Sequence, residues 1–325
     1  MKRRTFTCLA GVAAIWPALA RSQRSERMRV VGFLFPSGSN DWQSSLAAFK
    51  AHLQELGWTE GKDIRFEERL NVNNEQLPVA AQELIALSPD VIFVTANPGV
   101  AVLIKATRTI PIVFASVSDS VGSGFVASLA HPSGNVTGFH NFEPSIAGKW
   151  LELLKQMAPG VRRVAVVYDP QIVANVAFLE IAEHLSGSTG VTVSAVRVHD
   201  AGEMEPAITA FAMEPGGGLI VAPNPINSIR RELLVGLATR LKLPAIYPFR
   251  FYPELGGLAC YGIDRAEQVR EAAAYVDRIL RGTKPGDLPV QLPTKFEFVI
   301  NLRTAKVLGL NIPEAMLLRA DLVIR

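Results

Sequence analysis

One strand-and-turn pattern occurs twice along this chain, and that repetition limits the folds open to it more than any other feature. Val30-Val31-Gly32-Phe33-Leu34-Phe35-Pro36 is matched by Val164-Ala165-Val166-Val167-Tyr168-Asp169-Pro170. Val91-Ile92-Phe93-Val94-Thr95-Ala96-Asn97-Pro98 is matched by Gly218-Leu219-Ile220-Val221-Ala222-Pro223-Asn224-Pro225. Ile110-Pro111-Ile112-Val113-Phe114 is matched by Leu243-Pro244-Ala245-Ile246-Tyr247. The pairs keep their order and lie about 130 residues apart, as an internal repeat requires. Short Val/Ile-rich runs are common to all strands buried on both faces of a parallel sheet, so one match alone would carry no weight. Three in register predict two α/β lobes of one design, with a cleft between them that suits a small ligand.

The intervening residues agree. Strands are expected over 29–35, 64–69, 91–94 and 111–115, then over 163–168, 191–197, 218–221, 244–247 and 257–261. Leu46, Phe49, Leu53 and Leu56 recur at helical spacing and predict a helix over 42–56, ended by Gly57. Further helices are expected over 75–87, 99–107, 172–186, 203–213, 226–241 and 264–281. Strand–helix alternation gives a mostly parallel sheet covered on both faces, so each lobe is expected to be a Rossmann-like doubly wound α/β unit. Residues 131–144, rich in Gly, Pro and Asn, are expected to cross between the lobes, and the chain is expected to cross again near Gly282–Gly286. The expected division is 28–138 plus about 264–285 in lobe one, and 139–263 plus about 286–325 in lobe two.

The first 20 residues read as an export signal. Lys2-Arg3-Arg4 precedes an apolar stretch from Cys8 to Leu19, and Ala18-Leu19-Ala20 suits cleavage. Arg3-Arg4-Thr5-Phe6 also fits a twin-arginine signal, leaving the Tat and Sec routes both open. Removing residues 1–20 leaves basic and acidic residues equal at 30 each. A balanced chain gives no basis for nucleic-acid binding. No second long apolar run is present, so no direct membrane insertion is expected. Cys260 is then the only cysteine, which rules out an intrachain disulfide.

In open α/β sheets ligands bind at the carboxyl ends of the strands. Those ends here carry Ser37, Thr95-Ala96-Asn97-Pro98, Ser116-Val117-Ser118-Asp119, Tyr168-Asp169-Pro170, Pro223-Asn224-Pro225 and Pro248-Phe249. Hydroxyls, amides and aromatics of this kind suit a small polar organic ligand. In Asn97-Pro98, Asp169-Pro170 and Asn224-Pro225, an Asn or Asp is placed to cap a helix whose first turn holds Pro. Free N–H groups at such helix starts attract a carboxylate. Asp119 is placed either to pair with a ligand ammonium or to close the turn at Val121-Gly122. Tyr168, Tyr247, Phe249 and Tyr261 are placed to stack on a ring or to pack in the core. The chain has no complete dinucleotide, phosphate-loop or nucleophile-elbow motif, and its five histidines have no metal spacing. No cofactor and no metal are expected.

The chain also resembles a known family. The resemblance is carried by Leu53-Gln54-Glu55-Leu56-Gly57-Trp58-Thr59-Glu60-Gly61, Ser88-Pro89-Asp90-Val91-Ile92, Ala106-Thr107-Arg108-Thr109-Ile110-Pro111 and Gly134-Asn135-Val136-Thr137-Gly138-Phe139. Gly148-Lys149-Trp150-Leu151-Glu152-Leu153-Leu154-Lys155 and Leu288-Pro289-Val290-Gln291-Leu292-Pro293 extend it across the chain. These runs are similar to those of ABC-transporter substrate-binding proteins, including tryptophan-type binding proteins. The resemblance implies a type I periplasmic binding protein, with two Rossmann-like lobes, a hinge and a ligand held between them. It implies a site at Ser37, Thr95, Asn97, Ser116 and Asp119 in the first lobe, and at Asn141, Tyr168, Asn224 and Tyr261 in the second. The family often has Asp-Pro after the fourth strand, whereas Ser120 follows Asp119 here, and residues 223–227 read Pro-Asn-Pro-Ile-Asn. Ligand identity does not carry over across such differences.

The expectation is therefore a monomeric periplasmic receptor of an ABC importer. It would take a small carboxylate-bearing molecule, an amino acid or aromatic acid, and dock on an inner-membrane permease. The alternatives are a periplasmic sensor for a membrane signalling partner, or an exported α/β enzyme using Asp119 or Asp169 as a base.

Overall fold

The computed structural model describes residues 27–36 and 42–325. The expected export signal and Ser37 lie outside the described residues. Twelve strands form two sheets among them. The first sheet holds β1 (Arg29–Pro36), β2 (Ile64–Val72), β3 (Val91–Thr95), β4 (Ile112–Ser118) and β5 (Val136–Phe142), in the order β2-β1-β3-β4-β5. The second holds β6 (Arg163–Tyr168), β7 (Thr192–Arg197), β8 (Gly217–Val221), β9 (Ala245–Tyr247), β10 (Ala259–Gly262), β11 (Glu297–Asn301) and β12 (Leu322–Ile324). Its order is β12-β11-β10-β9-β8-β6-β7. Stripped of β11 and β12, it reads β7-β6-β8-β9-β10, the same winding as the first. The three sequence echoes fall on β1 and β6, β3 and β8, and β4 and β9. Every pairing in the first sheet is parallel, and in the second only β10–β11 is antiparallel.

Burial explains the Val/Ile-rich strands. Val31, Phe33 and Phe35 face helices Trp42–Glu55 and Arg265–Leu280, in a core that includes Phe49, Leu53, Ala272 and Val276. Leu34, Ile92 and Val94 face the other way, onto helices Leu77–Ala86 and Ala96–Ala106. A strand apolar on both faces has no periodicity of two, so it appears in sequence as a continuous run. The second lobe has its own core, with Trp150, Val164–Val167, Phe178, Leu219–Val221 and Tyr252.

Several segments depart from the sequence expectation. Residues 131–144 are not simply a crossing, because they contain β5, which stays in the first sheet as far as Phe142. Gly138 broke the strand signal there, yet a Cβ at that position would lie 2.1 Å from the Phe114 carbonyl oxygen. The expected helix over 226–241 is two helices, Pro225–Ile229 and Arg231–Arg240. The tail also divides. Val290 N–H donates to the Leu129 carbonyl and Gln291 N–H to the Gly138 carbonyl, on the side of the first sheet, whereas β11 and β12 extend the second. The chain thus passes between the sheets three times: after Phe142, after Gly262 and after Gln291. Among the described residues no helix is long and apolar enough to cross a membrane.

Candidate functional site

The carboxyl ends of β1, β3, β4, β5 and β8 converge on a cleft between the two sheets. Pro36, Thr95, Asn97, Ser116, Ser118 and Asn141 line it from the first lobe, and Ile172, Pro223–Pro225, Ser228 and Phe249 from the second. It lies where the strand order reverses between β1 and β3, the place an open α/β sheet reserves for ligands. A wider mouth of about 1030 Å³ opens beside Asn97 and Ile172.

Strained backbone marks the first-lobe rim. Ala96 (φ 63°), Ser116 (φ 56°) and Asp119 (φ 46°) are non-glycine residues in the left-handed region, each costing about 1 kcal/mol or more. Bonds around Ser116 and Asp119 hold those two there. The Ser116 N–H donates to Gln268 Oε1 at 2.7 Å, and the Asp119 Oδ1 accepts the Gly122 N–H at 2.9 Å. Asp119 therefore closes its own turn and does not line the cleft.

The three asparagines do different work. Asn97 caps nothing: it lies one residue inside its helix, whose N-cap is Thr95. Its amide instead braces the β4 loop, accepting the Ser118 N–H at 3.0 Å and donating to the Ser118 carbonyl at 2.8 Å. Asn224 does cap, its Oδ1 accepting the Asn227 N–H at 2.7 Å while its Nδ2 donates to Asn175 at 2.9 Å. Asp169 accepts from the Gln171 N–H at 2.9 Å, but the next helix begins only at Val173. So one of the three expected Asx-Pro caps is present as a cap. Asn141 Oδ1 accepts both the Phe142 N–H at 3.0 Å and the Ser118 hydroxyl at 2.9 Å, which leaves its Nδ2 as the donor for a cleft occupant.

Tyr168 and Tyr261 are not brought to the cleft. Tyr168 is 4% exposed in the second-lobe core. Tyr261 stacks on Phe296 with ring centroids 5.4 Å apart, and its carbonyl accepts the Trp150 indole N–H at 2.7 Å. Burial pushes the Tyr261 phenol above its ordinary range. Asn141, expected on the second lobe, stands on β5 in the first sheet.

The sequence reading missed Arg265, the only charged side chain among the described lining residues. It opens helix Arg265–Leu280 directly after the second crossing, and its guanidinium lies 5.1 Å from the centre of the Phe249 ring. One turn on, the buried Gln268 ties that helix to β4 through the Ser116 N–H and to β5 through the His140 carbonyl at 2.6 Å. The available signal was Asp264, whose side chain caps this helix through the Ala266 N–H at 2.9 Å. It locates the helix start in sequence but not its position under the cleft. Among the described residues the site therefore offers neutral donors from both lobes, one cation, and an apolar wall of prolines, Ile172 and Phe249. Among the described residues no group of three or more His, Cys, Asp or Glu side chains is placed to hold a metal.

Known proteins share this fold. The chain is 27% identical over 268 residues to the tyrosine-binding protein of Clostridioides difficile (strain R20291), covering 80% of this chain and 74% of that one. A conserved domain protein from Vibrio cholerae O1 biovar El Tor superposes with a TM-score of 0.86 at 28% identity, over 91% of this chain and all of that one. An ABC domain from Streptococcus pneumoniae, solved in complex with L-Trp, superposes with a TM-score of 0.85 at 24% identity, over 92% of this chain and all of that one. The family model for ABC transporter substrate binding proteins matches residues 42–324, and the chain belongs to that family.

Proposed function

We propose that this protein is the periplasmic solute receptor of an ABC importer and captures a small carboxylate-bearing molecule, an amino acid or aromatic acid, between its lobes. The observation that carries the carboxylate is Arg265, the one charged side chain among the described residues that line the cleft. A guanidinium is always charged and matches a carboxylate with paired N–H donors. Asn141 Nδ2 and the start of helix Ala96–Ala106 add donors on the same lobe. Phe249, Ile172 and the prolines suit the apolar body of such a ligand. Two similar proteins, the tyrosine-binding protein and the ABC domain solved with L-Trp, support the amino-acid class.

Ligand held by both lobes favours the closed form, because closure requires a difference in affinity between the two states. The closed receptor then docks on its permease. Native mass spectrometry of the mature chain, purified without denaturation and then mixed with L-tryptophan or L-tyrosine, tests the reading. A retained adduct of one molecule per chain is expected. No adduct with any amino acid or aromatic acid, from a folded chain, would refute it.

A further inference from the structure

All three crossings and the cleft loop meet at one residue, His140 on β5, which is 1% exposed: two crossings at its backbone, the remaining one and the loop at its ring. Its N–H donates to the Gln291 carbonyl at 2.9 Å, where the third crossing begins. Its carbonyl accepts from Gln268 Nε2 at 2.6 Å, on the helix that follows the second. Its ring Nδ1 lies 2.6 Å from Glu143 Oε1, on the first. Its Nε2 accepts the Ser120 N–H at 3.0 Å and also touches the Ser120 hydroxyl. Ser120 is fully buried and closely follows Ser116 and Ser118, which line the cleft.

The Ser120 amide fixes the ring's tautomer. A backbone N–H only donates, so Nε2 must present its lone pair and the ring proton must sit on Nδ1, donated to Glu143. A second proton would set N–H against N–H at Nε2. The hydroxyl can rotate to accept; the amide cannot, and it is buried where no water replaces the lost partner. Glu143, on the far side, is placed to stabilise the charged ring, so protonation would exchange the loop anchor for an ion pair at the hinge. The other charged groups around the ring line the hinge cavity it borders: Asp264, Glu267 and Glu271 against Arg270 and Lys295. From β4 the ring meets Phe114, at 6.1 Å between centroids, and no charge.

We propose that His140, held as the neutral imidazole, is a positioning residue that clamps the cleft loop 116–120 to all three crossings, and that its protonation loosens that loop and weakens binding in the cleft. The consequence for ligand rests on the cleft being the binding site; the clamp itself does not. Because the clamped state requires the neutral ring, the clamp is lost when the ring takes a second proton.

Two readouts on the mature chain test this. Imidazole 15N shifts at pH 7.5 are expected to report the Nδ1–H tautomer. The hydrogen-exchange protection factor of the Ser120 amide is expected to fall about tenfold or more from pH 7.5 to 5, while amides in β1 and β3 hold theirs. In His140→Gln, whose amide oxygen accepts from the Ser120 N–H at every pH, the fall should be under about twofold. Calorimetry with L-tryptophan as the probe should show the same contrast in affinity. An Nε2–H tautomer at pH 7.5, or an equal pH dependence at Ser120 in His140→Gln, would overturn the clamp. Failure of L-tryptophan to bind at any pH counts against the ligand reading alone, and the tautomer and exchange results still decide the clamp.

Discussion

Asn97 and Asn224 occupy matching places in the repeat, each before a proline at the end of a central strand, yet they act differently. Asn224 caps a helix and is locked into a buried amide network with Asn175 and Asn227. Asn97 holds the loop that carries Ser118. Sequence shows the residue type and the strand end; it does not show whether the next helix starts one residue after the asparagine or one before it. Asp119 has the same ambiguity, since a carboxylate after a strand serves a ligand or its own turn equally well, and here it takes the Gly122 amide. Arg265 was hidden for a different reason. Nothing local distinguishes a cleft arginine from a solvated one at a helix start. Replacing it tests the site directly. Arg265→Gln keeps much of the stem over Phe249 but removes the cation, and should weaken binding of a carboxylate ligand by about 10- to 100-fold, the worth of a charge-assisted bond. Calorimetry checks this, with an unchanged melting temperature of the free protein as control.

Helix Arg265–Leu280 shows how one element serves both lobes. It follows a second-lobe strand in sequence, but Val269, Ala272, Ala273 and Val276 pack into the first-lobe core. Its far end is fixed to that lobe as well, with Asp277 accepting the Trp58 indole N–H at 2.8 Å. The apolar periodicity that makes it a helix was legible in the chain. Its partner was not, because periodicity reports which face is buried and not what buries it. The same limit applies to β5, where a glycine required by close backbone approach reads locally as a loop residue. Gly262, at the second crossing, is a sharper instance. A Cβ there would stand 1.7 Å from the Pro248 carbonyl oxygen, so backbone must move to admit it. Gly262→Ala is expected to destabilise the protein by about 2 kcal/mol or more, read as a lower urea midpoint. An unchanged midpoint would mean that the crossing deforms at little cost.

On the scale of the whole molecule, two sheets wound alike face one another across a cleft, and three crossings return the chain between them. The matched winding of the two sheets was readable from the repeat, because buried parallel strands leave continuous apolar runs and their order sets the winding. The site was readable only as a set of loops. Its one cation and its tie to the hinge through Gln268 and His140 arise from contacts between distant parts of the chain, which no local pattern encodes. The central claim is that the cleft recognises a carboxylate. Thermal melting of the mature chain with L-tryptophan, indole-3-propionate and tryptamine separates the two ends of an amino acid, since a ligand raises the melting temperature in proportion to the logarithm of its concentration over Kd. A saturable rise with L-tryptophan or indole-3-propionate and none with tryptamine is the predicted result; a rise with tryptamine while both acids leave the melting temperature unchanged would contradict the account.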